Sequence, residues 1–489
     1  MATGVHHRND LQRVAHRALR DRDLLDAFDG AALDQLDGIR GASEENGADI
    51  RDLRGLPWCS IDNDESRDLD QLSVALDLGD GSVRVLVAIA DVDTLVGKAT
   101  PLDAHAAHNT ASVYVAGHVY PMLPEKLSTD LTSLGQGVDR ISLIIEYVVR
   151  QEGSLAESGV SRGVVRNHAK LTYNAVAAWL DGHGPLPEAA VAVPGMDAQL
   201  RLQDTAAVRL RELRHRNGAL DFASLEARPV FRDDAVVGMH AEVPNCAKRL
   251  IEEFMIAGNG VAARFLEAKG RPSLRRVVRS PERWAKIVEV AAQFGESLPG
   301  QPSARALEVF LAKRRAADPL RFPDLSLVIV KLMGAGEYVA ELAGDSHAGH
   351  FGLSVKDYTH ATAPNRRFSD LVTQRLLKAA LADQPSPYVI SELSVIARRC
   401  TEQESNIAKV ERQVHKSAAV LLLEKRVGES FEGLVTGAAD KGTWVRIIEP
   451  PAEGRLVQGA HGLRVGDKVR VTLLSTDFER GFLDFARAR

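Results

Sequence analysis

The sequence predicts an α+β protein, a large mixed domain followed by a small β-barrel. Three observations carry that expectation. Apolar runs of strand length set off by glycine turns begin after residue 50, long helical periodicities fill the middle of the chain, and five short strand-like segments occupy the last sixty residues. The chain has 489 residues, 45% hydrophobic and 26% charged, which is enough apolar material for a sizeable core and excludes a disordered or fibrous protein. The net charge of −5 supplies no overall basic field, so any nucleic acid must be held by local patches.

Residues 1–50 predict two or three short helices, LQRVAHRALRDRDLLDAF and AALDQL, ahead of the connector GIRGASEENGADI. Six arginines face ten Asp and Glu in this stretch, which argues against a helix-turn-helix on DNA, and a small docking or lid module is expected. Residues 51–427 then form the mixed domain. DQLSVALDL and SVRVLVAIAD flank Gly79-Asp80-Gly81 as a hairpin, and the second run is apolar on both faces, as a central strand would be. Helices are expected over 249–270, over 369–383 and from Ser391 to Val427, with Gly428 as the stop. Residues 428–489 hold SFEGLVTG, TWVRII, GRLVQG, DKVRVTLLS and GFLDFA, five strands that suit an OB-fold. From 425 onward eleven basic residues meet nine acidic ones, a slight positive excess in an acidic protein.

Cys59, Cys246 and Cys400 are far apart with no CxxC spacing, which speaks against a disulfide scaffold or a structural zinc site and for a reducing compartment. The first residues lack an apolar leader segment, and runs such as SLIIEYVV are too short to span a bilayer. A cytoplasmic, monomeric protein is expected.

The segment SIDNDESRDLDQL brings Asp62, Asp64, Asp68 and Asp70 within nine residues, beside a buried strand. Crowded carboxylates repel unless cations neutralise them, and hard oxygens of this kind suit Mg²⁺ completed by substrate phosphates. An acidic run is ordinarily a solvated loop; attachment to an apolar strand counts against that here. YTHATAPNRRFSDLV places Arg366 and Arg367 at a proline turn before a helix that Ser369 could cap, and guanidinium forks match phosphate geometry. Glu404 and Glu411, seven apart, share one helix face. Tyr114, Tyr173 and Phe222 could stack on bases or pack in the core, and composition does not choose between these.

Taken together, DLRGLPWCSIDNDESRDLDQL, VRVLVAIADVDTLV, TASVYVAGHVYPMLPEKLSTDLTSLGQGVDR, GALDF, NCAKRLIEEFMIAGN and HFGLSVKDYTHATAPNRRFSDLV resemble, in order, the ribonuclease II and ribonuclease R family of 3′→5′ exoribonucleases, defined by the RNB catalytic domain. The C-terminal segment resembles the S1-type OB-fold those enzymes carry. The resemblance implies Mg²⁺ held by Asp62, Asp68 and Asp70, with Asp70 catalytic. It implies catalytic roles also for Arg366, on the scissile phosphate, and for Glu411, near the cleavage centre. Tyr114 and Phe222 would clamp the 3′-terminal bases, while Tyr173 and Glu252 would stand near ribose hydroxyls, which makes single-stranded RNA rather than DNA the expected partner.

Three positions depart from the family pattern. Gln71 stands where a second adjacent aspartate is usual, so as a metal residue it is a weak neutral ligand. Ala363 and Asn365 replace Ser and Ile. Fifty mostly helical residues at the start cannot hold two cold-shock-type barrels of roughly seventy residues each. The expectation is an Mg²⁺-dependent, processive exoribonuclease releasing nucleoside 5′-monophosphates; the alternative, supported by Gln71, is a catalytically weakened RNA-binding regulator or chaperone.

Overall fold

The computed structural model describes residues 6–45, 47, 49–223, 227–241, 244–345, 348–439 and 442–488. Helices α1 (His7–Arg20) and α2 (Gly30–Gly38) precede the strands β1 (Ile50–Asp52), β2 (Cys59–Asp62), β3 (Gln71–Asp77) and β4 (Val83–Ala90). Helix α3 (Pro101–Asn109) leads to a hairpin, β5 (Val113–Val115) and β6 (His118–Tyr120), and then to β7 (Asp139–Val149), β8 (Leu155–Arg166) and β9 (Ala169–Thr172). Next come α4 (Tyr173–Leu180), α5 (Glu188–Val191) and α6 (Met196–Arg216), a second hairpin of β10 (Ala227–Arg232) and β11 (Ala235–Ala241), and α7 (Cys246–Ala268). Strand β12 (Ser273–Val277) pairs with β13 (Glu337–Glu341) around α8 (Trp284–Gln293), α9 (Ala304–Ala317) and α10 (Phe322–Met333). Helices α11 (Phe368–Leu381) and α12 (Ile390–Leu423) follow, and then β14 (Ser430–Ala439), β15 (Gly442–Ile447), β16 (Ala452–Gln458), β17 (Lys468–Asp477) and β18 (Phe482–Arg487).

The main sheet runs β1-β8-β7-β4-β3-β2-β9, so the run that is apolar on both faces becomes the fourth of seven strands. Gly79 and Gly81 turn between β3 and β4 at φ 79° and 84°, a backbone region that glycine enters without steric cost. Helix α6 packs on β3 and β4, and α7 on β7 and β8. Helix α11 lies against α7, tied down by buried Arg375, which donates to Asp93 (2.8 Å), Asp103 (2.7 Å) and the Tyr388 hydroxyl (2.7 Å).

The N-terminal helices do not stand apart from this body. The apolar stripe of α1 (Leu11, Val14, Ala15, Ala18, Leu19) shares a core with Val113 and Val115 of β5 and with Val410, Val414 and Ala418 of α12. Strands β14 to β18 close into a barrel. Ser417 of α12 donates to the Phe478 carbonyl (2.8 Å) and Arg446 pairs with Asp324 of α10 (3.1 Å), so the barrel is seated against two helices of the larger unit. Helix α12 ends at Leu423, short of the expected Val427, and a 3-10 turn over Glu424–Arg426 leads to Gly428, with φ 92°, before the barrel.

Candidate active site

The acidic segment leads into β3, and the residues before it are anchored on both sides. Leu69 N donates to Ser133 Oγ (3.0 Å), Ser133 Oγ donates to the Arg67 carbonyl (2.7 Å), and Ala90 N donates to the Asp70 carbonyl (3.0 Å). Asp70 is thereby fixed in the interior, 1% exposed. Its Oδ1 accepts the Asn365 amide (3.0 Å) and its Oδ2 accepts Arg366 Nε (2.9 Å). Burial pushes the Asp70 carboxyl up to about 7, Arg366 pulls against that shift, and the negative charge of Asp68 adds to it.

Arg366 spends only Nε on Asp70; 41% of its side chain remains exposed, and its terminal nitrogens bond to no described residue. Asp68 Oδ2 accepts the Tyr114 hydroxyl (3.1 Å), and Glu411 Oε1 accepts the Tyr114 amide (2.9 Å). Asp62, at the end of β2, is raised by burial, lowered by Arg366 and raised slightly by Asp68. Asp62, Asp68, Asp70, Tyr114, Arg366 and Glu411 therefore form one constellation, whereas Asp64 lies in an exposed turn. Gln71 begins β3 in register with Ile89, buried, and its carboxamide has no hydrogen-bond partner among the described residues.

The arginine turn is held by Asp370. One of its oxygens accepts the amides of Thr362 and Ala363, both at 2.8 Å, and both oxygens bond to Arg367 (2.7 and 2.9 Å). The turn is also stitched to the strand that carries Tyr114, because Ser112 N donates to the Arg366 carbonyl (3.0 Å) and Phe368 N to the Thr110 carbonyl (2.8 Å). Ser369 is not the helix cap. Helix α11 starts at Phe368, its cap residue Arg367 makes no side-chain capping bond, and the Ser369 hydroxyl donates to Asp370 (3.0 Å). A charged acceptor in the first turn outcompetes the hydroxyl for the loop's N–H groups.

The remaining sequence-selected residues extend away from this centre. Asp62 pairs in register with Thr172, and Tyr173 is the next residue, at the start of α4. Lys248 of α7 lies over the Tyr173 ring (5.9 Å), and Glu252 is one turn further along that helix. Burial raises the Glu252 carboxyl, Arg214 opposes the shift, and the charges of Glu253 and Asp221 add to it. Phe222, beside Asp221, is half-buried and packs on the core of α8, α9 and α10. Sequence reasoning missed Asp370 and Ser133. Asp370 had a signal, an acid three residues after Arg367 in a first helical turn; Ser133 had none.

The donor chemistry fits a hard divalent cation. Asp62, Asp68 and Asp70 offer carboxylate oxygens only, and at Asp62 and Asp70 burial outweighs the opposing charge of Arg366 and raises the carboxyl. With Asp70 on Arg366 and Asp68 on Tyr114, no three His, Cys, Asp or Glu side chains converge around a point among the described residues.

The RNB domain matches residues 50–383, and the RNase II-type exonuclease C-terminal S1 domain matches residues 429–488. The chain belongs to the RNB-domain family. It is 27% identical over 501 residues to Ribonuclease R 1 of Lactococcus lactis subsp. lactis and 29% identical over 506 residues to Ribonuclease R of Escherichia coli, with 96% of the chain covered in each case. It spans only 60% and 61% of the length of those curated relatives. The apo form of Mycoplasma genitalium RNase R shares the fold at a TM-score of 0.87 and 21% identity, covering 98% of this chain and 78% of that one. Yeast Ssd1, a pseudonuclease, matches at 0.73 and 16% identity, covering 95% of this chain and 58% of that one.

Proposed function

We propose that this protein is a Mg²⁺-dependent 3′→5′ exoribonuclease that degrades single-stranded RNA processively to nucleoside 5′-monophosphates, acting as a monomer in the cytoplasm. The observation that carries the reading is Arg366, anchored on buried Asp70 through Nε while 41% of its side chain stays exposed close to the Asp68–Tyr114 pair. An arginine fixed in this way presents a preorganised fork to a phosphodiester and stays charged, because burial, which lowers its pKa, is outweighed by the charge and hydrogen bond of Asp70 together with Tyr114 and Asp68. Relatives named ribonuclease R support the reaction class.

Each residue then has a task. Asp62, Asp68 and Asp70 would hold Mg²⁺, Gln71 adding only a neutral oxygen, and the bound ion would activate water and neutralise charge on the phosphate. Arg366 orients the scissile phosphate. Glu411 fixes the amide of Tyr114 beside the cleavage point, and Tyr114, a residue 40% exposed, offers its ring to a terminal base. Phe222 supplies the second stacking surface. Tyr173 and Glu252, on the stretch running out from Asp62, stand for the ribose hydroxyls, the contact that favours RNA over DNA. No described helix is long and apolar enough to cross a membrane.

A second reading, an RNA-binding protein with weakened catalysis, is favoured by Gln71 alone. Incubation of 5′-labelled single-stranded RNA with Mg²⁺ and then with chelator separates the two. The nuclease reading expects a ladder that shortens from the 3′ end and stops when metal is removed; full-length RNA that is bound but uncut supports the second reading.

A further inference from the structure

Phe222 sits on the short loop GALDF between α6 and β10, and that loop is fastened from several directions. Gly218 opens it at φ 98°, and a Cβ there would lie 2.5 Å from the Arg305 backbone nitrogen of α9, so glycine is what allows so close an approach. Leu220 N donates to the Gly352 carbonyl (2.8 Å), and Ala223 N donates to Ser326 Oγ of α10 (3.2 Å). Between these two ties, Asp221 Oδ2 accepts from Arg211 Nη2 of α6 and from Arg315 Nη1 of α9, each at 2.7 Å. Arg315 Nη2 donates in addition to the Asp221 backbone carbonyl, so one guanidinium fork grips both the side chain and the main chain of the residue before Phe222.

The two arginines do not fill a core. Each side chain is partly exposed, 27% for Arg211 and 41% for Arg315, and both line an open cavity of about 430 Å³ between α6 and α9. Arg315 also rests over the Phe322 ring at 4.7 Å, which ties the same guanidinium to the core on which Phe222 packs. Removing Arg315 would release the Asp221 carbonyl and leave the Asp221 carboxylate on Arg211 alone, beside the backbone ties of Ala219, Leu220 and Ala223.

We infer that Arg211 and Arg315 are positioning residues that, through Asp221, hold the Phe222 ring where the 3′-terminal bases of the RNA stack. The inference rests on the proposed role of Phe222, and it gives the α8–α10 layer a part in substrate binding. The restraint acts on the grip of the last few nucleotides, not on cleavage itself.

The test uses the full chain, 5′-labelled oligonucleotides of graded length, and the variants Arg315→Ala, Arg315→Lys, Phe222→Ala and the double Phe222→Ala/Arg315→Ala. Phe222→Ala should raise KM for short oligonucleotides about fivefold or more, the lower end of one lost stacking contact, and lengthen the limit product. Arg315→Ala should shift both readouts in the same direction by less, with kcat on long RNA held within about twofold. Arg315→Lys, which keeps a charge on Asp221 but loses the fork, should fall between Arg315→Ala and wild type. In the double variant Arg315→Ala should add nothing further, because its route runs through the missing ring.

A purely structural arginine would instead lower the melting temperature and the kcat on every length together while the limit product stayed put, and that result overturns the inference. Additive effects in the double variant overturn it too. If Phe222→Ala acts and Arg315→Ala does not, the inference alone fails; if Phe222→Ala changes neither readout, the clamp reading fails and the inference with it. Should Arg315→Ala not fold, Arg315→Lys against wild type decides by the same two readouts.

Discussion

Replacing Asp370 by asparagine removes one charge from a fully buried carboxylate that accepts from Thr362 N, Ala363 N, Arg367 Nε, Arg367 Nη2 and Ser369 Oγ. An amide keeps one acceptor oxygen for the two loop N–H groups. Its NH₂ then faces Arg367 Nε, and this largely buried cation, 28% exposed, loses the charge of its partner. Breaking such a buried pair costs about 3–5 kcal/mol. With an unfolding entropy of about 2.1 cal/mol/K per residue, a 489-residue chain shifts by roughly 1 °C per kcal/mol, so the melting temperature should fall by about 3–5 °C. Function should follow, because the loop held by Asp370 carries Arg366 to Asp70. The assay pairs thermal unfolding followed by circular dichroism with RNA turnover measured well below the variant's transition. A stability loss under about 1 kcal/mol, the worth of one ordinary hydrogen bond, would refute the claim that Asp370 organises the arginine turn.

Tyr114→Ala removes a stacking face worth roughly 1–3 kcal/mol, so short oligonucleotides should be released earlier and the limit product should lengthen; an unchanged end point on a sequencing gel would make Tyr114 a packing residue. Gln71→Asp should lower the Mg²⁺ concentration needed for half-maximal rate, since a carboxylate attracts the ion where a carboxamide only coordinates it weakly, and a titration showing no shift removes Gln71 from the metal surroundings. Burial lowers the imidazole pKa of His350 and of His105 to about 4, with nearby charge adding in each case. Both rings stay neutral in the fold and gain a proton on unfolding, so their contribution is complete above about pH 6.5 and is lost as pH falls toward 4, by at most about 1.4 kcal/mol per pH unit each. His350→Gln should accordingly flatten the loss of stability between pH 6.5 and 5 in denaturant titrations; parallel curves for variant and wild type would contradict this.

The sequence displays local features of this fold better than their meetings. SVRVLVAIAD is readable as a central strand because both its faces are apolar, and β4 occupies the middle of the sheet. The C-terminal barrel is readable because short alternating runs recur between glycine turns, and β14 to β18 occupy those runs. The stripe Leu11, Val14, Ala15, Ala18, Leu19 marks α1 as amphipathic, yet nothing in it names α12 as the partner, since an apolar face carries no address. The site divides in the same way. The acidic cluster and the arginine turn are local patterns, but the Arg366–Asp70 bond joins residues 296 apart in sequence. Propensity points to Ser369 as the cap, and the stronger acceptor Asp370 takes that task because the loop supplies amides to it. Glu411 can be placed on a helix face from spacing alone, whereas its bond to the Tyr114 amide depends on where the β5–β6 hairpin lands.

The central claim is that Asp70 and Arg366 together with Mg²⁺ cut RNA from its 3′ end. Its most direct measurement compares wild type with Asp70→Asn on end-labelled single-stranded RNA in the presence of Mg²⁺, reading binding by filter retention and cleavage by gel from the same mixtures. Wild type should yield nucleoside 5′-monophosphates and a short limit fragment, while Asp70→Asn should retain the RNA through its stacking contacts and release no product. Near-normal turnover by Asp70→Asn, or wild type that binds RNA and leaves it uncut, would contradict it.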